Sequence, residues 1–265
     1  MPLYTSSPGS AALAANWFQG LTYPWGTVVD RYLSTLEYVV IQLNPALMCD
    51  GYIRIGFTVA ASASITVHYY ATWNSGTHTG TLPLTIEIST NGSMNDPTFY
   101  VVITDSGFHL GLKCNLGNYL GYCAVLNKFT PVIGDANPNK PVLTCFETAS
   151  QIISSPAGSK IFNPLPPVTG PWTDCNIMGL LDVKGTFIQA LSQDLGKLVL
   201  APLYVIDQGY MRGNLDNMYL IYKVSTTAPD FGQVQIGSDI YQVFNTGGAS
   251  YCFGILSGVH VAVKL

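Results

Sequence analysis

Asp105, Ser106 and His109 stand together in TDSGFHLG, the nearest this sequence comes to an acid, a nucleophile and a base in one place. An acyl-transfer triad needs a base ordered by a third group and an oxyanion site, which three neighbours along the chain do not supply. A simpler cause accounts for the same residues. Asp-Ser-Gly is turn chemistry: Asp and Ser bond nearby backbone, and Gly tolerates positive φ. The stretch therefore predicts a hairpin, with His109 just inside its second strand.

Other chemistry is sparse. There is no GxSxG elbow, no P-loop and no GxGxxG. Glycoside cleavage needs paired carboxylates, but most Asp residues, such as Asp207 after LYVI and Asp216 in GNLDN, sit where turns are expected. His68, His78, His109 and His260 are dispersed, and the six cysteines form no CxxC pair. That spacing argues against a zinc site. The sequence thus predicts no enzyme, no cofactor and no metal. Cys49, Cys114, Cys123, Cys145, Cys175 and Cys252 read as buried thiols in a chain without an export signal, with an intersubunit disulfide as the alternative.

Aromatic residues are the more suggestive group, with 16 Tyr, 11 Phe and 4 Trp. Tyr69, Tyr70 and Trp73 cluster, as do Tyr119 with Tyr122 and Tyr219 with Tyr222. Tyr offers contact area and a hydroxyl at low entropy cost, which suits a partner surface. Tyr is also an ordinary strand residue. The candidate interaction residues are Trp17, Phe18, Tyr69, Tyr70, Trp73, Tyr119, Tyr122 and Trp172.

The totals limit the partners. Of 265 residues, only 10% are charged, against roughly 25% in average soluble domains. A folded monomer of this mass exposes roughly 11,000 Å², so much of its surface must be uncharged polar and apolar. Such a surface favours contact with other chains. Net charge is −4, and the basic residues are scattered without a stripe. Nucleic acid is therefore not expected as the main partner. No stretch reaches the roughly 18 apolar residues of a membrane span, and the start MPLYTSSPGSAALAANW lacks the features of a secretory signal. Synthesis in a cytoplasm follows.

The elements that must position these residues are mostly strands. AALAANWFQ, between Ser10 and Gly20, predicts one short helix, with Ser10 as N-cap, Gly20 beyond the last turn, and Leu13 and Trp17 on one face with Ala14 and Phe18 beside them. So short a helix needs something to pack on, either its own β domain or a neighbouring subunit. Two-residue alternation follows in STLEYVVIQLN, GYIRIGFTV, SITVHYYATW and TLPLTIEIST, with Ile53, Ile55, Phe57 and Val59 on an inner face. Pro83 marks a strand entry or an edge. TFYVVITDSGFHLGLKC reads as a hairpin, and YLGYCAVL as a further strand. Residues 131–172 are rich in Pro, Gly, Ser and Asn and read as ordered loop or linker, laid against a surface by Ile161, Phe162, Leu165 and Trp172. IMGLLDVKGTFIQAL fits neither period. KLVLAPLYVID, NMYLIYKVS, GQVQI, DIYQVF, SYCFGIL and VHVAVKL then read as six strands, with a tight turn at Gly237-Ser238.

The expected fold is mainly β: an antiparallel sandwich or barrel and a smaller C-terminal β domain, with a short N-terminal helix. The boundaries read as an arm over 1–34, a β domain over 35–150, a linker over 151–172 and a C-terminal β domain over 173–265.

TFYVVITDSGFHLGLKCNLGNYLGYCAVLNKFTP resembles a segment of virion structural proteins from tailed bacteriophages, carried by Phe99, Tyr100, Tyr119, Leu120, Gly121 and Tyr122. LAPLYVID, GNLDNMYLIYKVS and VQIGSDIYQVFN resemble that family's C-terminal strand order. Two departures stand out: NTGGASYCFGI replaces a basic segment, and VHVAVKL looks like an addition. The resemblance implies a virion component near the neck, collar or tail, with copies of itself and adjacent virion proteins as partners. The alternatives are a capsid decoration protein and a receptor- or glycan-binding fibre module.

Overall fold

A computed structural model describes residues 3–7, 10–32, 37–58, 64–81, 84–89, 98–113, 120–131, 141–143, 159–162, 172–179, 200–207, 210–222, 232–244 and 259–265. The protein is mainly β, with antiparallel sheets and one short helix. Among the described residues no helix is long and apolar enough to cross a membrane.

One sheet is a five-stranded meander of β2 (Gly26–Tyr32), β3 (Glu37–Leu43), β4 (Tyr52–Thr58), β5 (Ser64–Tyr70) and β8 (Leu84–Ser89). Between its last two strands, β6 (Thr72–Asn74) and β7 (Thr79–Thr81) form a separate hairpin. The expected alternation holds: Ile53, Ile55 and Phe57 point into the core, as do Val39, Ile41 and Leu43 of β3. β8, which follows Pro83, ends the sheet and is an edge.

The second sheet has twelve strands. It begins with β1 (Leu3–Ser6), β9 (Thr98–Thr104), β10 (Gly107–Lys113) and β11 (Leu120–Pro131). It continues through β12 (Pro141–Leu143), β13 (Ser159–Phe162), β14 (Trp172–Gly179), β15 (Leu200–Asp207) and β16 (Tyr210–Tyr222). It ends with β19 (Val259–Lys264), β18 (Asp239–Phe244) and β17 (Gln233–Ile236). Asp105 and Ser106 make the β9–β10 turn, with Thr104 paired to Gly107. At the other end Ile236 pairs with Asp239 across Gly237-Ser238, and Gly237 adopts φ +65. That φ is what Gly supplies at the first central position of a primed hairpin turn.

The helix α1 (Ala11–Gln19) joins the two sheets. Ser10 caps it, its hydroxyl accepting from the Leu13 amide at 3.3 Å. Gly20 caps the other end with φ −79, so no left-handed residue is used there. The inward stripe runs through Ala14 and Phe18, beside the Leu13–Trp17 pair. Ala14, Ala15 and Phe18 are buried, with Ala11 beside them, while Leu13 is 55% exposed. Small side chains at this 3.6-residue spacing bring the helix close to the sheet, and Leu13 lies on the opposite side. The Phe18 ring lies 4.8 Å from Phe57 of one sheet, and 5.8 and 6.0 Å from Phe99 and Phe108 of the other. Tyr23 donates its hydroxyl to the Phe18 carbonyl at 2.8 Å, and the Trp25 indole reaches the Gly107 carbonyl at 3.4 Å. These contacts place β1, α1 and β2, all within residues 1–34, in the same two layers as β3–β11.

Two readings of the later chain change. The stretch 131–172 contributes β12 and β13 to the sheet, and its residues 132–140, 144–158 and 163–171 lie outside the described residues. GNLDN does not separate strands: β16 runs through it for 13 residues. Pairing with β15 jumps from Tyr204–Asn214 to Pro202–Tyr219, so β16 carries a bulge there, with Asn217 at φ 58. On one side of the bulge β16 pairs with β11, and on the other with β19. The β11–β16 pairing returns the ladder β11-β12-β13-β14-β15-β16 to its start, curling this part of the sheet on itself. Gly213 permits the approach, because a Cβ there would stand 2.1 Å from the Thr130 carbonyl oxygen. The ambiguous IMGLLDVKGTFIQAL enters β14 through Gly179; its remainder, and SYCFGIL, lie outside the described residues.

Replacing Phe18 by Ala removes a ring shared by both sheets and should lower stability by about 3–5 kcal/mol. Leu13→Ala, on the exposed side of the same helix, should change it by less than about 0.5 kcal/mol. Urea unfolding of the two variants checks this; similar losses would contradict the packing described.

Candidate functional site

The richest constellation of polar and aromatic side chains lies on the outer face of the five-stranded sheet. Period-two geometry puts Tyr38 of β3, Arg54 of β4, and His68 and Tyr70 of β5 there, opposite the core-facing Val39, Ile55, Val67 and Tyr69. Tyr32 joins them as the cross-strand partner of Tyr38. Asp30 reaches this face because of a register shift. Val28 packs inward, and without the bulge between Val28 and Asp30, a residue two positions on would point inward too.

The β6–β7 hairpin folds over this face and is held by one carboxylate. Asp30 Oδ2 accepts from the Trp73 indole N–H at 2.8 Å and contacts His78 Nδ1 at 2.9 Å. The Asp30 side chain is only 6% exposed. The hairpin has its own turn chemistry: Asn74 Oδ1 accepts from the Gly76 and Thr77 amides, and His78 takes φ 56. Trp73 stands edge-on to Tyr70 and Tyr38, with centroids 5.0 and 5.9 Å away. Tyr32 stacks on Tyr38 at 5.7 Å and meets the His78 ring at 4.4 Å. The Arg54 guanidinium lies 5.1 Å from the Tyr38 ring centroid and 5.7 Å from that of Tyr70, in cation–π range.

Titration follows from this packing. Burial pushes the Tyr38 hydroxyl up to about 12, helped by Asp30 and opposed by Arg54. Burial and the nearby Arg54 charge lower His68 to about 4. Both side chains are neutral near pH 7. The cluster is an aromatic packing between the sheet and its hairpin, with Tyr38, Tyr70 and the Asp30 carboxylate buried and Tyr32 left exposed at its rim. Packing and hydrogen bonding hold the hairpin onto the sheet.

The residues singled out from sequence are distributed unequally. Tyr70 and Trp73 meet on the outer face. Tyr69, next to Tyr70 in sequence, points into the core, where its hydroxyl donates to the Asp50 carbonyl at 2.9 Å. Phe18 is wholly buried, and Trp17 is half-buried with its ring 5.1 Å from Phe18. Tyr122 lies in β11 and Trp172 opens β14, but their side chains, like Tyr119, are outside the described residues. Tyr219 meets Tyr241 edge-on at 5.7 Å in the C-terminal core. Asp30, Tyr32, Tyr38, Arg54 and His78 escaped the sequence reading. The alternation of Tyr38 and Arg54 was visible, but the Asp30 bulge and its contact with His78, 48 residues away, were not.

The triad-like group is also placed. Asp105 is exposed at its turn, and the Ser106 amide donates to Thr104 Oγ1 at 3.1 Å. His109 is fully buried on β10, and burial lowers it to about 3. Cys49 is a buried thiol, pushed up by burial and by Asp50. No protein-family model matches this chain, and no curated protein matches it.

Asp30→Ala leaves the Trp73 and His78 nitrogens without their shared acceptor. The hairpin should loosen, with stability falling by about 1–3 kcal/mol, faster amide exchange over residues 72–81 and red-shifted tryptophan emission. Exchange identical to the wild type would show that the carboxylate does not hold the hairpin. A second expectation concerns pH. His68 and His109 have folded values near 4 and 3, below their ordinary 6.5. Between those values the unfolded chain binds protons that the folded chain refuses, so stability falls as pH drops below about 6.5. Urea midpoints should decline between pH 7 and pH 5; a flat profile would refute the burial of these rings.

Proposed function

We propose that this protein is a structural component of a tailed-phage virion, at the neck, collar or tail, assembling through contacts with copies of itself and with adjacent virion proteins. The observation that supports this most is a surface poor in charge: 11 basic and 15 acidic residues in 265, with Leu13, Leu47, Tyr210, Met211 and Ile240 all exposed. An uncharged surface with exposed apolar side chains gains free energy when a neighbour covers it. The resemblance of the β9–β11 segment and of β15–β18 to virion structural proteins supplies the setting. Its mechanism is assembly, for which one repeated interface closing on itself is the economical arrangement. Nucleic acid is not its main partner on this reading, because the basic residues do not gather.

The accessible rim of the outer-face cluster, Tyr32 with the partly exposed Trp73 and His78, favours a second reading, a decoration protein or a receptor- or glycan-binding module. Aromatic rings beside hydrogen-bonding groups are what a sugar or a protein loop requires.

Light scattering after size exclusion, with and without reductant, separates the readings. A closed oligomer larger than a trimer is the expected result. A trimer that is retained on immobilised glycans would favour the binding module. A stable monomer that is absent from purified particles would sink the assembly reading.

A further inference from the structure

We infer that Asp50-Gly51 is a site of spontaneous isomerisation, where the native fold promotes closure of the Asp50 side chain onto the Gly51 amide and leaves isoaspartate. This goes beyond the assembly reading and does not depend on it. The sequence holds one Asp-Gly pair, in CDGY, and it lies where β3 leads into β4. Asp50 is exposed and Gly51 is buried. The attacking group and its target are already in contact: the Gly51 amide donates to Asp50 Oδ1 at 2.9 Å. The nitrogen is thus held against the carboxyl group it must attack, which removes most of the entropic cost of ring closure. Gly51 carries no side chain to shield that nitrogen, and the site admits none. Its φ is +116, and a Cβ would stand 2.5 Å from the Tyr69 ring.

A second contact falls on the same peptide group. The Tyr69 hydroxyl donates to the Asp50 carbonyl at 2.9 Å. As the Gly51 amide loses its proton, charge spreads onto that carbonyl oxygen, where a donor is already in place. The step needs no co-reactant except water. The Gly51 nitrogen bonds to Cγ of the protonated Asp50 carboxyl, and the hydroxyl leaves with the amide proton as water, closing a cyclic imide. Water then adds to the imide at the main-chain carbonyl and breaks its bond to nitrogen. The chain now runs through the side-chain carbonyl, and the main chain has gained a carbon. Little room exists for it. Gly51 lies against Tyr69, its carbonyl accepts from the Leu43 amide at 2.9 Å, and Met48 and Cys49 just before it are buried. Isomerisation therefore loosens the β3–β4 connection as the molecule ages.

The full chain is incubated in warm, mildly acidic buffer, one sample native and the other unfolded in urea, and digested with trypsin. Isoaspartate at residue 50 appears as a peptide of unchanged mass and shifted elution that an isoaspartyl methyltransferase labels. It should accumulate in the native sample at least as fast as in the unfolded one. Tyr69→Phe should slow the native rate about fivefold, as loss of a neutral hydrogen bond implies, and leave the unfolded rate unchanged. Asn91-Gly92, the one Asn-Gly pair, lies beyond Arg54 on another tryptic peptide and changes mass on deamidation, so it does not interfere. Isoaspartate that forms more slowly in the native than in the unfolded chain overturns the proposal, as does a native rate that Tyr69→Phe leaves unchanged or raises.

Discussion

The N-terminal layers depend on Phe18. Its ring is the point where a helix and two sheets share one buried volume, touching Phe57 from the five-stranded sheet and Phe99 and Phe108 from the twelve-stranded one. A nine-residue helix has little stability of its own, since nucleation is costly and each added residue returns little. Burial of Phe18 with Ala14 and Ala15 is what makes the helix form. The dependence is mutual, because the sheets would enclose a void without it. Tyr23 and Trp25 extend the same core toward the β9–β10 turn, so one aromatic cluster orients the helix, the start of β2 and the turn together.

A second constraint acts at β16, which serves two neighbours along one edge. Its first half pairs with β11 and its second with β19, and the change occurs at a bulge where Asn217 is left-handed. Side-chain and backbone hydrogen bonds close this corner. Asn127 donates to the Asp216 carbonyl at 3.1 Å, Thr130 donates to the Asp216 carboxylate at 2.6 Å, and the Lys128 amide donates to the Ser106 carbonyl at 2.7 Å. Asn127 is fully buried, so its hydrogen bond avoids the cost of leaving an amide donor unpaired in the interior. The aromatic core and the polar corner meet at Ser106 and Gly107, which links the sandwich to the curled part of the sheet.

The outer-face cluster uses the same physics for a different end. Its hairpin is not woven into the five-stranded sheet and is held by a single buried carboxylate and by ring contacts. A low-charge protein must find cohesion in aromatic faces and neutral hydrogen bonds, and the cluster shows how: two histidines, three tyrosines and a tryptophan around one arginine. The surface chemistry proposed for assembly is of the same kind.

The strand-rich class, the capped helix over residues 11–19, the inner face of β4 and both tight hairpins were legible in the sequence. These depend on local causes: side-chain period, capping and turn residues. Which residues meet in space was a tertiary decision. Nothing near Tyr69 and Tyr70 says that one packs the core while the other joins the outer face; the register of β5 against β4 does. Leu13 and Trp17 read as one face with Ala14 and Phe18 beside them, and which of these turns inward is decided by the closeness of the sheet, which takes Ala14 and Phe18 and leaves Leu13 exposed. GNLDN read as a turn because its composition is that of one, and only pairing with both β11 and β19 turns it into a bulge within a strand. Asp30 faces outward through a one-residue register shift, and its partners Trp73 and His78 lie 43 and 48 residues away, a separation that local pattern does not span.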